Sequence, residues 1–200
     1  MSGLLEKILS MKGVLYVVTR FGGTRLRRIA LSGRHASGGW NFLEQSSVRE
    51  MVSLAEEHCS HGRILDMGCG TGSLGAALDP QQYESYLGVE LSKPGLEKAL
   101  SRGLTKPRFE AGDIQTFDTD ERFDLIVFEE TLYYVNPLIR RKTLERYSRL
   151  LKPGGRIIVT AAEPKRFANM LDMIRSDYEV LEDRTFTNSR RHLMVFRLKS

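Results

Sequence analysis

Ile64-Leu65-Asp66-Met67-Gly68-Cys69-Gly70-Thr71-Gly72 is the stretch that decides the fold. A short apolar run ends in an acid and passes through three alternating glycines into a helix-forming segment beginning at Ser73. Glycine lets a backbone approach a ligand closely and turn into left-handed conformations. In open parallel sheets ligands lie beyond the carboxyl ends of the strands, where this turn falls. The acid narrows the chemistry. A carboxylate at Asp66 repels the pyrophosphate of a dinucleotide and attracts a cationic amine or sulfonium. A phosphate-binding P-loop needs a Gly-Lys-Ser/Thr ending, and none follows Gly72.

Working outward, short apolar runs alternate with helical patterns. Strands are predicted over 63–67, 86–91, 108–110, 124–128 and 156–161, and helices over 73–78, 93–102, 137–151 and 164–174. Ser92 with Pro94 reads as a helix start, and Lys152-Pro153-Gly154-Gly155 as a helix stop. Residues 178–187 and 190–198 read as a hairpin around Asn188-Ser189, and Val48, Met51, Val52, Leu54 and Ala55 as an amphipathic helix near 44–60. The sum is an α/β fold, a doubly wound, mostly parallel seven-stranded sheet with an antiparallel C-terminal edge hairpin and an N-terminal helical arm.

Each early strand ends in an acid. Glu90 closes the second, a carboxylate suited to ribose hydroxyls. Asp113 follows the third and can accept from an exocyclic amine, with Ile114 and Leu91 sandwiching a planar base. The fourth leads into Glu129-Glu130-Thr131-Leu132-Tyr133-Tyr134. In this order, with Leu150-Leu151-Lys152-Pro153-Gly154-Gly155-Arg156 before the fifth strand, the segments resemble the class I S-adenosylmethionine-dependent methyltransferases over about residues 44–198. The Glu130-Thr131-Leu132-Tyr133-Tyr134 run is similar, more narrowly, to the nodulation-type small-molecule N-methyltransferases. The resemblance implies that Asp66 and the turn Gly68, Cys69, Gly70 and Gly72 hold the methionine part of S-adenosylmethionine. It further implies that Glu90 and Leu91 hold the ribose side, Asp113 and Ile114 the adenine, and Glu129 the neighbouring wall. Tyr134, Glu130 and Tyr133 are then the candidate catalytic residues, and Trp40 and Phe42 the candidate substrate contacts. One of the two tyrosines is expected in the core and the other at the acceptor. His35 is kept as a possible acid or base, and Cys69 as a backbone contributor. The acceptor is a small molecule methylated at N or O; the alternative is an RNA- or protein-directed enzyme.

Charge and composition bound the rest. The net charge of +5 is a property of residues 1–35, which hold seven basic side chains against Glu6 alone. The longest apolar run is five residues, Val14 to Val18, far short of a spanning helix. Two cysteines ten residues apart exclude a disulfide scaffold and fit a reducing, cytoplasmic setting. No sequence-local cluster has metal-ligand spacing, so no metal is expected. The basic segment is acid-poor like a transit peptide, but Leu4, Leu5, Ile8, Leu9 and Met11 have helical spacing. The chain is therefore divided into a basic arm or lid, 1–43, with a flexible joint at 32–39, and an S-adenosylmethionine-binding domain, 44–200. No room for a lid insertion exists after Ala161, so cover falls to the arm; under the alternative, Arg25, Arg27 and Arg28 are an electrostatic tether.

Overall fold

A computed structural model describes residues 8, 11–37, 41–186 and 191–199, without the side chains of 12 and 41–47. Its centre is five parallel strands: β1 (Arg63–Met67), β2 (Ser85–Glu90), β3 (Pro107–Ala111), β4 (Phe123–Phe128) and β5 (Leu151–Ala161). With β6 (Glu179–Thr185) and β7 (His192–Arg197) they form one seven-stranded sheet ordered β3-β2-β1-β4-β5-β7-β6. The order runs outward from β1 in one direction and returns to β4 in the other, so the topological switch point lies between β1 and β4. The antiparallel strand is β7, which inserts between β5 and β6, leaving β6 at the edge.

The helices are α1 (Lys12–Phe21), α2 (Thr24–Ala36), α3 (Asn41–His58), α4 (Ser73–Ala77), α5 (Lys93–Ser101), α6 (Arg140–Arg149) and α7 (Ala168–Asp177). Side chains alternate across a strand with period two, and the sheet has a core on each face. Ile64, Tyr86, Leu125, Val127, Ile158 and Val195 pack with Met51, Leu54 and Ala55 of α3. Leu65, Leu87, Ile126, Phe128, Ile157 and Phe196 pack with Leu144 and Tyr147 of α6 and Met170, Leu171 and Ile174 of α7. Strands buried on both faces read as continuous apolar runs, which is why 124–128 stands out in the sequence. As predicted, Ser92 caps α5, its hydroxyl accepting from the Gly95 N–H at 3.3 Å.

Several boundaries differ from the sequence expectation. The joint at 32–39 is helical through Ala36, the last turns of α2. Lys152–Gly155 is not a spacer before the fifth strand but a bulge inside β5, with the register shifting between Phe123 and Leu125 and Gly154 at φ +78°. The helix expected from Pro137 begins at Arg140, because Asn136 Oδ1 accepts the Leu138 N–H at 2.9 Å and holds a turn there. The helix expected from Pro164 begins at Ala168. Most of the helix expected over Leu4–Met11, and the Asn188-Ser189 turn, lie outside the described residues.

Candidate functional site

A cleft opens at the carboxyl ends of β1, β2 and β4, at the switch point. The turn after β1, Leu91, Asp113, Ile114, Glu129, Glu130, Thr131 and Tyr134 line it. The turn is built so that its own amides are consumed by the protein. Gly68 and Cys69 donate to Val89 O at 2.8 and 3.2 Å, Gly70 donates to Glu90 Oε2 at 2.9 Å, and Gly72 donates to Cys69 O at 2.9 Å. Four of the amides of the turn are thus held by the protein itself. Gly68 is required twice over: φ is +82°, and a Cβ would stand 2.5 Å from Thr131 Cγ2. Thr131 in turn donates from Oγ1 to Met67 O at 2.8 Å, tying the turn after β4 to the end of β1.

The predicted acids are brought together and buried. Asp66 accepts a hydrogen bond from the Tyr86 hydroxyl. Burial pushes its carboxyl up to about 7, opposed by that hydrogen bond and helped by Glu129 and Glu90. Glu90 takes the Gly70 and Ser92 amides on its two oxygens, at 2.9 and 2.6 Å. Burial pushes it up to about 7 as well, against those backbone donors. Asp113 Oδ1 accepts the Gln115 N–H at 3.0 Å. Its Oδ2 is held by Arg27 through Nη2 at 2.5 Å and Nε at 3.2 Å. The cleft wall is thus rich in acceptors, the complement of a ligand bearing hydroxyl, amino and cationic groups.

The fourth turn carries backbone strain. Glu130 is a non-glycine residue at φ +54°, a conformation that costs about 1–2 kcal/mol. Its amide donates to Thr160 Oγ1 at 3.1 Å, and its Oε2 accepts from the Ala162 amide at 2.8 Å and the Tyr133 hydroxyl at 3.1 Å. Oε1 is buried without a hydrogen-bond partner, and burial raises the carboxyl above its ordinary range. Glu129 accepts from Arg191 Nη1 at 3.1 Å.

Some predicted residues fall elsewhere. Tyr133, one of the three candidate catalytic groups, is the core tyrosine: it stacks on Phe167 at 4.3 Å, its hydroxyl is spent on Glu130, and it does not line the cleft. Tyr134 does. Gly72 does not line the cleft, although Thr71 and Ser73 on either side of it do. It stands at φ +74° as the residue before α4, where a Cβ would meet Phe109 Cζ at 2.7 Å. Cys69 lines the cleft, but burial and the acids Asp66 and Glu90 hold its thiol far above the normal range, unfit as a nucleophile. Trp40 and the Phe42 side chain lie outside the described residues.

The arm supplied what the sequence missed. Thr19, Arg27 and Leu31 line the same cleft, as does His35, which the sequence already singles out as a possible acid or base. Arg27 is therefore not one of three equivalent surface cations; it is buried against Asp113, while Arg25 and Arg28 are exposed. His35 packs beside Gly95, where a Cβ on the glycine would stand 3.1 Å from its Cε1, and burial pushes it down to about 4. A neutral imidazole there is a poor acid. One acid cluster was invisible to local spacing: Glu57, His58 and Glu182 bring ligand-type atoms within 4.8 Å of one another. His58 Nδ1 faces Arg156 Nη1 at 2.9 Å, and Nε2 faces Glu182 at 2.6 Å. A guanidinium can only donate, so Nδ1 accepts and Nε2 carries the proton, which leaves neither nitrogen open to a metal.

Comparison with known proteins agrees. A family model described as a methyltransferase domain matches residues 58–192. The chain is 34% identical over 145 residues to a probable thiol methyltransferase of Arabidopsis thaliana, covering 64% of this chain and 63% of that one. It is 26% identical over 126 residues to nodulation protein S of Rhizobium tropici, covering 61% and 52%. It therefore spans less than two-thirds of the length of these relatives. The fold superposes on the N-methyltransferase NodS of Bradyrhizobium japonicum in complex with S-adenosyl-L-homocysteine, with a TM-score of 0.65 and 20% identity over 80% of this chain and 92% of that one. The chain belongs to the methyltransferase-domain family. Within it the fold is that of the nodulation-type structure, and no helix among the described residues is long and apolar enough to cross a membrane.

Proposed function

We propose that this protein transfers the methyl group of S-adenosylmethionine to a nitrogen or oxygen of a small-molecule acceptor. The observation that carries this is the meeting of Asp66, Glu90 and Asp113 at three neighbouring strand ends around the glycine turn. That set of acceptors fits an adenosyl sulfonium amino acid better than a dinucleotide, whose pyrophosphate the carboxylate at Asp66 repels. Asp66 faces the cationic amino end, Glu90 the ribose hydroxyls and Asp113 the adenine amine, with Leu91 and Ile114 against the base. When bound, the cofactor supplies the methyl group and the leaving sulfur. The chain supplies alignment and exclusion of water. Thr131 fixes the two turns relative to each other, and Glu130, in the cleft wall, is the carboxyl that takes the proton the acceptor loses. Tyr134 borders the acceptor.

Residues 1–43 act as the cover of this site. Burial of Thr19 and Arg27, and the packing of His35 beside Gly95, support it. An electrostatic tether for RNA or protein would rest on Arg25 and Arg28 alone. Calorimetry with S-adenosyl-L-homocysteine tests the cofactor assignment. Glu90→Ala should weaken binding by about 1.5–3 kcal/mol, the worth of a charge-assisted hydrogen bond, and unchanged affinity would overturn the ribose role. Labelled cofactor offered with small amines, phenols and carboxylates against bulk RNA tests the acceptor class.

A further inference from the structure

Three arginines from separate parts of the chain gather beside the tyrosine turn. Arg20 ends α1, Arg140 opens α6 after β4, and Arg166 follows β5. The Cζ atoms of Arg20 and Arg166 lie 3.1 and 4.2 Å from the centre of the Tyr16 ring, and each is 5.8 Å from that of Phe167. Arg20 and Arg140 are only 2% and 7% exposed. Their hydrogen bonds are sparse: Arg20 Nη1 makes a long contact of 3.5 Å to Tyr16 O, and Arg140 Nη2 donates to Val135 O at 2.9 Å. The Nε of each is buried with no partner. Among the described residues, the one acid paired with any of the three is Glu163, on Arg166 at 2.9 Å.

Such an arrangement is costly as it stands. A buried charge needs a counter-charge or a full set of hydrogen bonds. Here burial, then the neighbouring Arg140 and Arg166, push Arg20 down to about 10, and burial lowers Arg140. Aromatic stacking offsets part of this, but the Nε of each buried guanidinium still lacks an acceptor. Planar forks of this kind match carboxylate and phosphate oxygens. The position is telling as well. Arg140 and Arg166 follow the carboxyl ends of β4 and β5, the end of the sheet where Glu130 and Tyr134 stand. Thr19, the residue before Arg20, and Tyr134 line the cleft itself.

We infer that Arg20 and Arg140, with Arg166 at the rim, bind an anionic group, carboxylate or phosphate, of the small-molecule acceptor. The inference rests on the methyl-transfer reading for the word acceptor, but the anion site stands on its own geometry. It anchors one end of the acceptor away from the cofactor and leaves the nucleophilic atom in the cleft that Glu130 and Tyr134 line. The basic arm then has a function besides cover, in that α1 delivers a specificity determinant.

The test uses the full chain in low-chloride buffer, with succinate and inorganic phosphate as probes and succinamide as the neutral control. Thermal unfolding and calorimetry are run with and without S-adenosyl-L-homocysteine. Wild type should be stabilised by one of the two anions and not by succinamide, and the more effective anion identifies the group. Arg140→Met should weaken that binding by about tenfold or more, the loss of one charge-assisted hydrogen bond, and exposed Arg166→Gln by less. Arg25→Gln/Arg28→Gln should leave it unchanged. S-adenosyl-L-homocysteine affinity should persist in Arg140→Met, so failure of wild type to bind that nucleoside would count against methyl transfer while the anion result is still scored. Equal stabilisation by succinamide, or anion binding intact in both Arg140→Met and Arg166→Gln, would overturn the site. So would anion binding lost only in Arg25→Gln/Arg28→Gln, which would mark a surface for a polyanion such as RNA. If Arg140→Met unfolds, Arg166→Gln and Arg140→Lys, which keeps charge but loses the fork, carry the test.

Discussion

Affinity for the cofactor should follow the ionisation of two buried carboxyls. Asp66 and Glu90 are both pushed up to about 7 in the free protein. A group with that value is about nine-tenths ionised at pH 8 and about one-tenth ionised at pH 6. A ligand that needs one of them charged should therefore bind about tenfold more weakly at pH 6 than at pH 8, and one that needs both about a hundredfold more weakly. S-adenosyl-L-homocysteine is the suitable probe because it presents the amino and ribose groups without the reactive methyl. Calorimetry at pH 6, 7 and 8, in two buffers of different ionisation enthalpy, reads both the affinity and the protons released. Between one and two protons should leave on binding at pH 6, and Asp66→Asn should remove one and flatten the slope. The stability of the free protein should move the other way. The folded carboxyls hold protons that the unfolded chain, with ordinary carboxyls near 4, has already lost. Their contribution is neutral below about pH 4, becomes destabilising as pH rises from about 4 to 7, and is fully destabilising above that window. A dissociation constant that stays flat from pH 6 to pH 8, with no proton released, would refute the assignment of these acids to the ligand.

Two further pairs of variants separate neighbours that look alike in sequence. Tyr133→Phe should cost about 1 kcal/mol of stability in urea titration, by removing one donor from Glu130 Oε2, while Tyr134→Phe should lower turnover on whichever acceptor the labelled-cofactor screen yields. Arg27→Met should destabilise the protein by about 3–5 kcal/mol, since it strands a buried Asp113; Arg25→Gln/Arg28→Gln should change stability by less than about 0.5 kcal/mol, and thermal unfolding of the two variants side by side checks both.

The parts of this molecule that depend on short-range pattern were readable from its residues. The alternation of strands and helices, the cap at Ser92 and the acids at the ends of β1 and β2 follow from local periodicity and turn chemistry. What escaped were contacts between residues far apart in the chain. Arg27 meets Asp113 across 86 residues and His58 meets Glu182 across 124, and no spacing encodes either. A signal for Arg27 did exist. It shares the buried face of α2 with Ala30 and Gly33 at intervals of three, whereas Arg25 and Arg28 fall on the other side. Gly72 was assigned to the ligand because a glycine in a glycine-rich turn has two possible reasons for being there. Only the approach of Phe109 shows that the reason is packing. Lys152-Pro153-Gly154-Gly155 was taken for a break because proline and glycine usually end an element, but a bulge also accommodates them. Which of Tyr133 and Tyr134 faces inward depends on Phe167, 34 residues later in the chain than the first of them.

The insertion of β7 between β5 and β6 has a consequence for biosynthesis. β5 pairs along Ile157–Ala161 with residues 192–196 of β7, and β6 has β7 as its sheet neighbour. On the ribosome, β1 to β5 can assemble in the order in which they emerge, but β5 then presents a bare row of amides and carbonyls until about thirty more residues have been made. β6 emerges in that interval with nowhere to dock. An open edge flanked by Ile157, Ile158 and Val159 is a template for pairing with another nascent chain. Premature termination before His192 should thus yield an insoluble product rather than a slightly weakened enzyme, and expression yield should respond most to whatever shields that edge during synthesis.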